Sequence, residues 1–204
     1  MSSNIFNRRG FLASSVFLIL INVNLFGINL ILENENQIIE KITEDKINEI
    51  GGEVEAKTDI SVYLILKESI KEKNLQLYLD ANYKDKLKQP YVVYMMSKER
   101  KLIDIFVSSY LLEDYFDKDD IIYDYTLPII VTPSKASEQS LYSAGFLNGY
   151  SQLCEDIADE KGIELSNAIG NDNKDVFNVL RLLFYGTVAV FLVMYIRKKF
   201  WKAS

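Results

Sequence analysis

Two long apolar runs flank the charged part of this 204-residue chain and restrict what it can fold into. The first run, residues 11–32, has no charged side chain, and the second, residues 176–196, has only Arg181. Each run has the roughly 20 residues that an α-helix needs to cross a bilayer. The sequence therefore predicts two transmembrane helices, which divide the rest of the chain into a tail, a domain and a second tail at residues 1–10, 33–175 and 197–204.

Charge is distributed unevenly between these parts. All 29 acidic residues and 16 of the 23 basic residues lie within residues 33–175. The basic residues of the two tails are Arg8, Arg9, Arg197, Lys198, Lys199 and Lys202. Because lysine and arginine beside a membrane helix resist translocation, both tails are expected in the cytoplasm. The acidic domain is then extracytoplasmic, and we expect a two-pass protein of the bacterial inner membrane with this domain in the periplasm.

The first run has an alternative interpretation. Two arginines followed by an apolar stretch also describe a secretory signal peptide, which would be cleaved. Both interpretations place the domain outside the cytoplasm.

Polar groups inside the apolar runs predict a contact between the two helices. An amide without a partner in hydrocarbon is costly, so such side chains favour positions where they can pair. Counting inward from the outer ends of two antiparallel helices places Asn29 level with Asn178 and Arg181, and Asn22 lies deeper. The alternative is a signal sequence in which this polarity has no role.

The composition excludes several kinds of chemistry. The chain has no histidine and a single cysteine, Cys154, so Ser-His-Asp sites, Cys-His sites and His- or Cys-rich zinc sites are impossible. A bound metal would have to be a hard cation with oxygen ligands, such as calcium or magnesium. The formal net charge of −6 argues against nucleic acid as a partner.

Hydrophobic periodicity within the domain predicts an α/β fold with a small mixed sheet flanked by helices. Helices are expected near residues 36–55, 72–88 and 137–159, and strands at residues 60–66, 91–96 and 102–107. The order strand, helix, strand, strand implies one parallel crossover followed by an antiparallel hairpin.

The order and spacing of these elements over residues 38–158 resemble the TPM domain family, a widespread extracytoplasmic domain. The most specific match is the small-residue stretch at residues 143–150, which follows a segment marked by Pro128. A second match is the strand, charged turn and strand of residues 91–107. The resemblance implies a three-layer α/β/α domain and a role in assembling or maintaining membrane complexes. Because some members of the family are phosphatases or bind calcium, it also implies a possible metal-assisted phosphoester hydrolysis.

The densest carboxylate cluster of the chain is the best candidate for a metal site. Neighbouring carboxylates repel one another unless a cation or a basic group neutralises them. The candidate ligands for calcium or magnesium are Asp114, Asp117, Asp119, Asp120 and Asp124. The alternative is a solvated acidic loop in which Asp119 or Asp120 caps a helix. We expect no other cofactor.

Two groups of residues form a candidate protein-binding surface. One is the charged hairpin turn with Lys98, Glu99 and Arg100, and the other is aromatic. Aromatic rings beside charges are typical of binding surfaces, although they also occur in the core of a short helix. The aromatic candidates are Tyr110, Tyr115 and Tyr123.

These features predict a membrane-anchored extracytoplasmic binding or scaffold protein that assists the assembly or maintenance of a membrane protein complex. The expected partners are membrane or envelope proteins and the lipid bilayer, without nucleic acid. One alternative is a divalent-metal-dependent phosphatase of the TPM type. Another is a structural subunit of a larger envelope complex.

Overall fold

A computed structural model of the protein describes residues 29–169. The predicted second transmembrane helix and all but the last residues of the first lie outside this range. Within residues 29–169, no helix is both long enough and apolar enough to cross a membrane.

The described residues form a four-stranded sheet in the order β1-β2-β3-β4. Strand β2 is parallel to both of its neighbours, and β4 is antiparallel to β3. This arrangement confirms the mixed sheet, the parallel crossover and the hairpin expected from the sequence. The strands are Ile31–Asn34 (β1), Ser61–Lys67 (β2), Tyr91–Ser97 (β3) and Leu102–Val107 (β4).

Helices cover both faces of the sheet. Helices α1 (Lys41–Thr58) and α5 (Glu138–Glu160) pack on one face, and α2 (Leu75–Asn82) packs on the other. Cover on both faces is required because β2 and β3 are buried along almost their whole length. The result is the mixed sheet flanked by helices that the hydrophobic pattern predicts.

Strand β1 corrects the predicted end of the first transmembrane helix. Ile31 and Leu32, which the hydropathy assigned to that helix, belong to the sheet, and Leu30 is completely buried in the domain. The predicted bound at residue 32 is therefore wrong. A short apolar strand that continues a longer apolar run cannot be distinguished from it by hydropathy alone, and only the pairing of Ile31 with Leu64 separates the two.

The boundaries of two helices differ from the prediction for local reasons. Helix α1 starts at Lys41 rather than near residue 36, because the Asn34 amide bonds both the N–H and the C=O of Ile39 and holds the intervening turn. Helix α2 ends at Asn82 rather than near residue 88, because the chain turns at Tyr83.

The segment between β4 and α5 is a series of short helical pieces. They are a 3-10 helix (Tyr110–Tyr115), α3 (Lys118–Asp120), a wide π-helical turn (Ile121–Thr126) and α4 (Leu127–Val131). Pro128 lies in the first turn of α4, directly after the wide turn, and its missing N–H removes one backbone hydrogen bond to that turn.

Glycines on α5 bring this segment against the core. The buried Thr126 hydroxyl bonds the Ile121 carbonyl at 3.0 Å and the Tyr94 hydroxyl at 2.5 Å. A Cβ on Gly149 would lie 1.9 Å from the Thr126 hydroxyl oxygen, and a Cβ on Gly145 would lie 2.6 Å from Ile130. Both glycines therefore let this segment approach the backbone of α5 closely.

We predict that Gly149→Ala destabilises the domain. The better helix propensity of alanine is worth about 1 kcal/mol, but the methyl group would disrupt the Thr126–Tyr94 hydrogen bond, so a net loss of about 1–3 kcal/mol in unfolding free energy is expected. Urea unfolding of the full chain, followed by tyrosine circular dichroism, measures the change.

Gly52→Ala is the matched control, because Gly52 lies inside α1 and a Cβ there would meet nothing within 4 Å. This variant should be as stable as the wild type or more stable. Equal effects of the two substitutions would contradict the packing role of Gly149.

Candidate functional site

An open groove lies beside β4, the last strand of the sheet. It has a volume of about 850 Å³. Its walls come from β4, from one residue of α2 and from the segment that follows β4. The lining residues are Gln76, Ile105, Phe106, Val107, Glu113, Asp114, Tyr115, Phe116, Asp117 and Lys118.

The outer wall of the groove is the 3-10 helix Tyr110–Tyr115 and the residues after it. The Ser109 side chain caps this helix by accepting a hydrogen bond from the Leu111 N–H, and the buried Leu112 fixes the helix to the main core. Anchoring Leu112 inward leaves its neighbours Leu111 and Glu113 exposed. The wall therefore presents polar and apolar side chains to solvent.

Asp117 has a structural role at the end of this wall. Its carboxylate accepts hydrogen bonds from the N–H groups of Asp119 and Asp120, at 2.9 and 3.4 Å. Asp117 is thus the N-cap of α3, whereas the sequence suggested Asp119 or Asp120 for a capping role.

The groove is acidic, and its basic residue is already paired. Glu113, Asp114 and Asp117 line it, and the Lys118 ammonium lies 3.1 Å from the Asp104 carboxylate on β4. Both partners of this ion pair are substantially exposed, so the pair adds little stability. The excess of carboxylates favours a positively charged ligand.

Two of the predicted aromatic residues are exposed to solvent, and the third is partly buried in the wall of the groove. Tyr110 is 75% exposed and Tyr123 is 62% exposed. Tyr115 lines the groove, packs against the core and has the Lys161 ammonium 5.1 Å from its ring centre. An exposed tyrosine offers a large apolar surface and a hydroxyl, which suits a protein contact.

The five predicted metal ligands do not form a compact group. Within residues 29–169, no set of three or more Asp, Glu or Cys side chains is placed to hold a metal ion. Asp114, Asp117, Asp119, Asp120 and Asp124 lie on or beside three successive helical pieces rather than around one point. The metal site remains a prediction without a preformed set of ligands.

The charged hairpin turn is occupied by contacts inside the domain. The Lys98 ammonium lies 3.4 Å from the Glu68 carboxylate and 3.1 Å from that of Glu138, and over the ring of Tyr142. Although partial burial opposes it, these carboxylates raise the pKa of Lys98. Arg100 donates to the backbone carbonyl of Glu72, and the N–H of Glu99 bonds the carbonyl of Glu68.

Strand β4 separates the charged turn from Tyr110, one of the aromatic candidates. The turn precedes β4 and Tyr110 follows it, and the six residues of β4 span about 20 Å. The charged turn and Tyr110 are therefore at opposite ends of β4.

A partly buried charge cluster that the sequence did not reveal lies at the other edge of the sheet. The Glu33 carboxylate accepts hydrogen bonds from the Tyr78 and Tyr83 hydroxyls at 2.5 and 2.7 Å, and from the Lys67 ammonium at 2.7 Å. Partial burial disfavours the charged form of Glu33, but these three donors outweigh it and lower its pKa. Burial and the Glu33 carboxylate raise the pKa of both tyrosines, so they act as donors at neutral pH.

This cluster locks β1 to α2, since Glu33 is on β1 and Tyr78 is on α2. Its donors and acceptors satisfy one another, which suits a structural lock better than a reactive site. The available sequence signal was only that Glu33 is the first charged residue after the apolar run.

The predicted contacts between transmembrane helices fall mostly outside the described residues. Asn22, Asn178 and Arg181 lie beyond residues 29–169. Asn29 is exposed and directly precedes the buried Leu30, so it belongs to the start of the domain.

Comparison with known proteins identifies the fold but no family. No family model matches the chain, and no curated protein matches it. Among solved structures, the chain resembles the N-terminal domain of a protein from P. gingivalis, determined by solution NMR, with a TM-score of 0.53. The match covers 68% of this chain and 88% of that domain at 13% sequence identity. At this identity the similarity shows the fold alone.

We predict that Glu33→Gln destabilises the domain at neutral pH and that the loss shrinks in acid. Removing the charge weakens three hydrogen bonds to a carboxylate, so about 1–3 kcal/mol of unfolding free energy should be lost at pH 7. Because folding lowers the pKa of Glu33 below 4.5, its contribution is present above pH 4.5 and is lost as the pH falls through the lowered value.

Urea unfolding of the full chain at a series of pH values from 7 down to 3 measures this difference. The exposed Glu113→Gln is the control and should follow the wild type throughout. A Glu33→Gln loss that stays constant across the series would show that packing, not charge, explains the effect.

Proposed function

We propose that this chain is a membrane-anchored extracytoplasmic binding protein that holds other membrane or envelope proteins through the groove beside β4. The observation that carries this proposal is the groove itself, whose lining combines the half-buried aromatic side chains of Phe106, Tyr115 and Phe116 with exposed carboxylates. The exposed Tyr110 begins the helix that forms its outer wall. Other charged groups, such as Lys98 and Glu33, are engaged in internal contacts, whereas the carboxylates of the groove face solvent.

The positions of the two ends of the domain support two anchors on one side. The N–H of Leu30 bonds the Asn48 side chain at 2.9 Å, and the N–H groups of Ser166 and Asn167 bond the Glu53 carboxylate at 2.7 and 2.8 Å. Asn48 and Glu53 are both on α1, where five residues span about 8 Å. The chain therefore leaves the domain at two neighbouring places, as a pair of adjacent membrane helices would require.

The proposal includes membership of the TPM domain family. The strand, helix, strand, strand order supports it, together with the close packing of the small-residue stretch of α5 against residues 126–130. Proteins with this role would be expected to assist the assembly or maintenance of a membrane complex in the bacterial inner membrane.

We predict that both tails are cytoplasmic and that the domain is periplasmic. In a Cys154→Ser background, single cysteines introduced by Asn4→Cys, Ser134→Cys and Ser204→Cys report on each part, and Ser134 is exposed in the structure. A membrane-impermeant maleimide added to intact cells should label only the domain position.

Permeabilised cells are the control, and all three positions should then react. Labelling of either tail in intact cells would contradict the two-anchor topology. A shortened product lacking the position 4 cysteine would instead show that the first apolar run is a cleaved signal peptide.

We predict that Tyr110→Ser weakens partner binding at least fivefold without affecting stability. Replacing an exposed side chain should change the unfolding free energy by less than about 0.5 kcal/mol, whereas loss of an aromatic contact at an interface typically costs more than about 1 kcal/mol of binding. Co-purification of the tagged full chain in mild detergent, with quantitative mass spectrometry, measures the loss.

Ile42→Ser is the matched control, because Ile42 on α1 is 74% exposed and lies away from the groove. Partners retained by Ile42→Ser and lost by Tyr110→Ser would support the groove. Equal recovery with both variants would contradict it.

A further inference from the structure

Strand β4 leaves one backbone edge open beside the groove. Within the described residues, β3 is the only strand that pairs with β4. The Ser108 N–H bonds the Tyr91 carbonyl, and this sets the alternation along the pair. With this alternation, the backbone N–H and C=O groups of Asp104 and Phe106 point toward β3. Those of Ile103, Ile105 and Val107 point away from the sheet.

The groove follows this open edge. Ile105, Phe106 and Val107 are consecutive, so their side chains alternate between the two faces of the sheet, yet all three line the groove. A cavity that meets consecutive residues of a strand runs along its edge rather than over one face. The outward N–H of Ile105 bonds the Asp104 carboxylate at 2.8 Å, so a local side chain now satisfies it.

The charge of the groove selects among occupants. A second copy of this chain would bring Glu113, Asp114 and Asp117 close to the same carboxylates, which is unfavourable. A segment that carries lysine or arginine would instead pair with them. The exposed Tyr110 and Leu111 at the adjacent wall provide apolar surface for the residues between those charges.

We propose that β4 binds an extended basic segment of a partner protein as a fifth strand of the sheet. This inference rests on the proposed binding function and specifies its mode. The outward C=O groups of Ile103, Ile105 and Val107 and the N–H groups of Ile103 and Val107 supply the backbone hydrogen bonds, and the carboxylates of the groove select lysine or arginine. Edge strands that are open in this way are templates for strand addition.

The test uses the full chain in detergent and a fluorescent synthetic peptide in which lysine alternates with valine or isoleucine. Fluorescence anisotropy should show saturable binding that weakens with salt, and a peptide with glutamate in place of lysine should not bind. The double variant Glu113→Gln, Asp114→Asn should bind the peptide about tenfold more weakly. The control Asp45→Asn, Glu49→Gln removes the same charge from α1 and should bind like the wild type.

Backbone methylation of the peptide tests strand addition without altering the protein. Two peptides carry N-methyl groups on alternate residues, one at the odd-numbered and one at the even-numbered positions. If the peptide adds as a strand, methyl groups that face β4 block its hydrogen bonds and weaken binding about a hundredfold, and methyl groups that face outward are tolerated. Equal binding of both methylated peptides would overturn the proposal.

Hydrogen exchange separates this inference from the proposed function. Bound peptide should slow the exchange of the backbone N–H groups of Ile103 and Val107. If Tyr110→Ser loses its partners but the peptide gives no such protection, strand addition is overturned and the proposed function is not. Stronger binding of a peptide copying residues 195–204 would assign the groove to the chain's own tail and also overturn the inference. Retention of all partners by Tyr110→Ser would instead contradict the proposed function.

Discussion

The burial of β2 and β3 on both faces is the constraint on which the rest of this structure depends. Nearly every residue of these two strands is inaccessible to water, so helices must cover each side of the sheet. The outer strands do not share this burial equally. Strand β4 is only half-buried, and its free edge is where the chain can build a groove without exposing the central core.

Two buried contacts hold the segment that carries the wall of that groove. Tyr94 on the central strand β3 bonds Thr126 in the wide helical turn, and Gly149 on α5 lets Thr126 approach the core. Because Thr126 is completely buried, the acidic and aromatic residues before it are held close to the core and face solvent. Leu112, which is buried in the main core, fixes the wall of the groove itself at the 3-10 helix that precedes this turn.

Charged residues of this domain have two distinct roles. At the strand ends they form ion pairs and hydrogen bonds with one another. Glu33 pairs with Lys67 and accepts hydrogen bonds from two tyrosines, and Lys98 in the hairpin turn pairs with Glu138 at the start of α5. Beside β4 the carboxylates outnumber their basic partners. The first kind of cluster stabilises the fold, and the second is available to a ligand. Their difference lies in whether packing brings an opposite charge within reach.

The sequence by itself determined the mixed sheet, its parallel crossover and the hairpin, because these follow from local hydrophobic periodicity. It did not determine β1, whose apolar residues continue a run typical of a membrane helix, nor the Glu33 cluster, whose members are up to 50 residues apart. Only tertiary packing decided which charges found partners, because pairing depends on distances between segments that are remote along the chain.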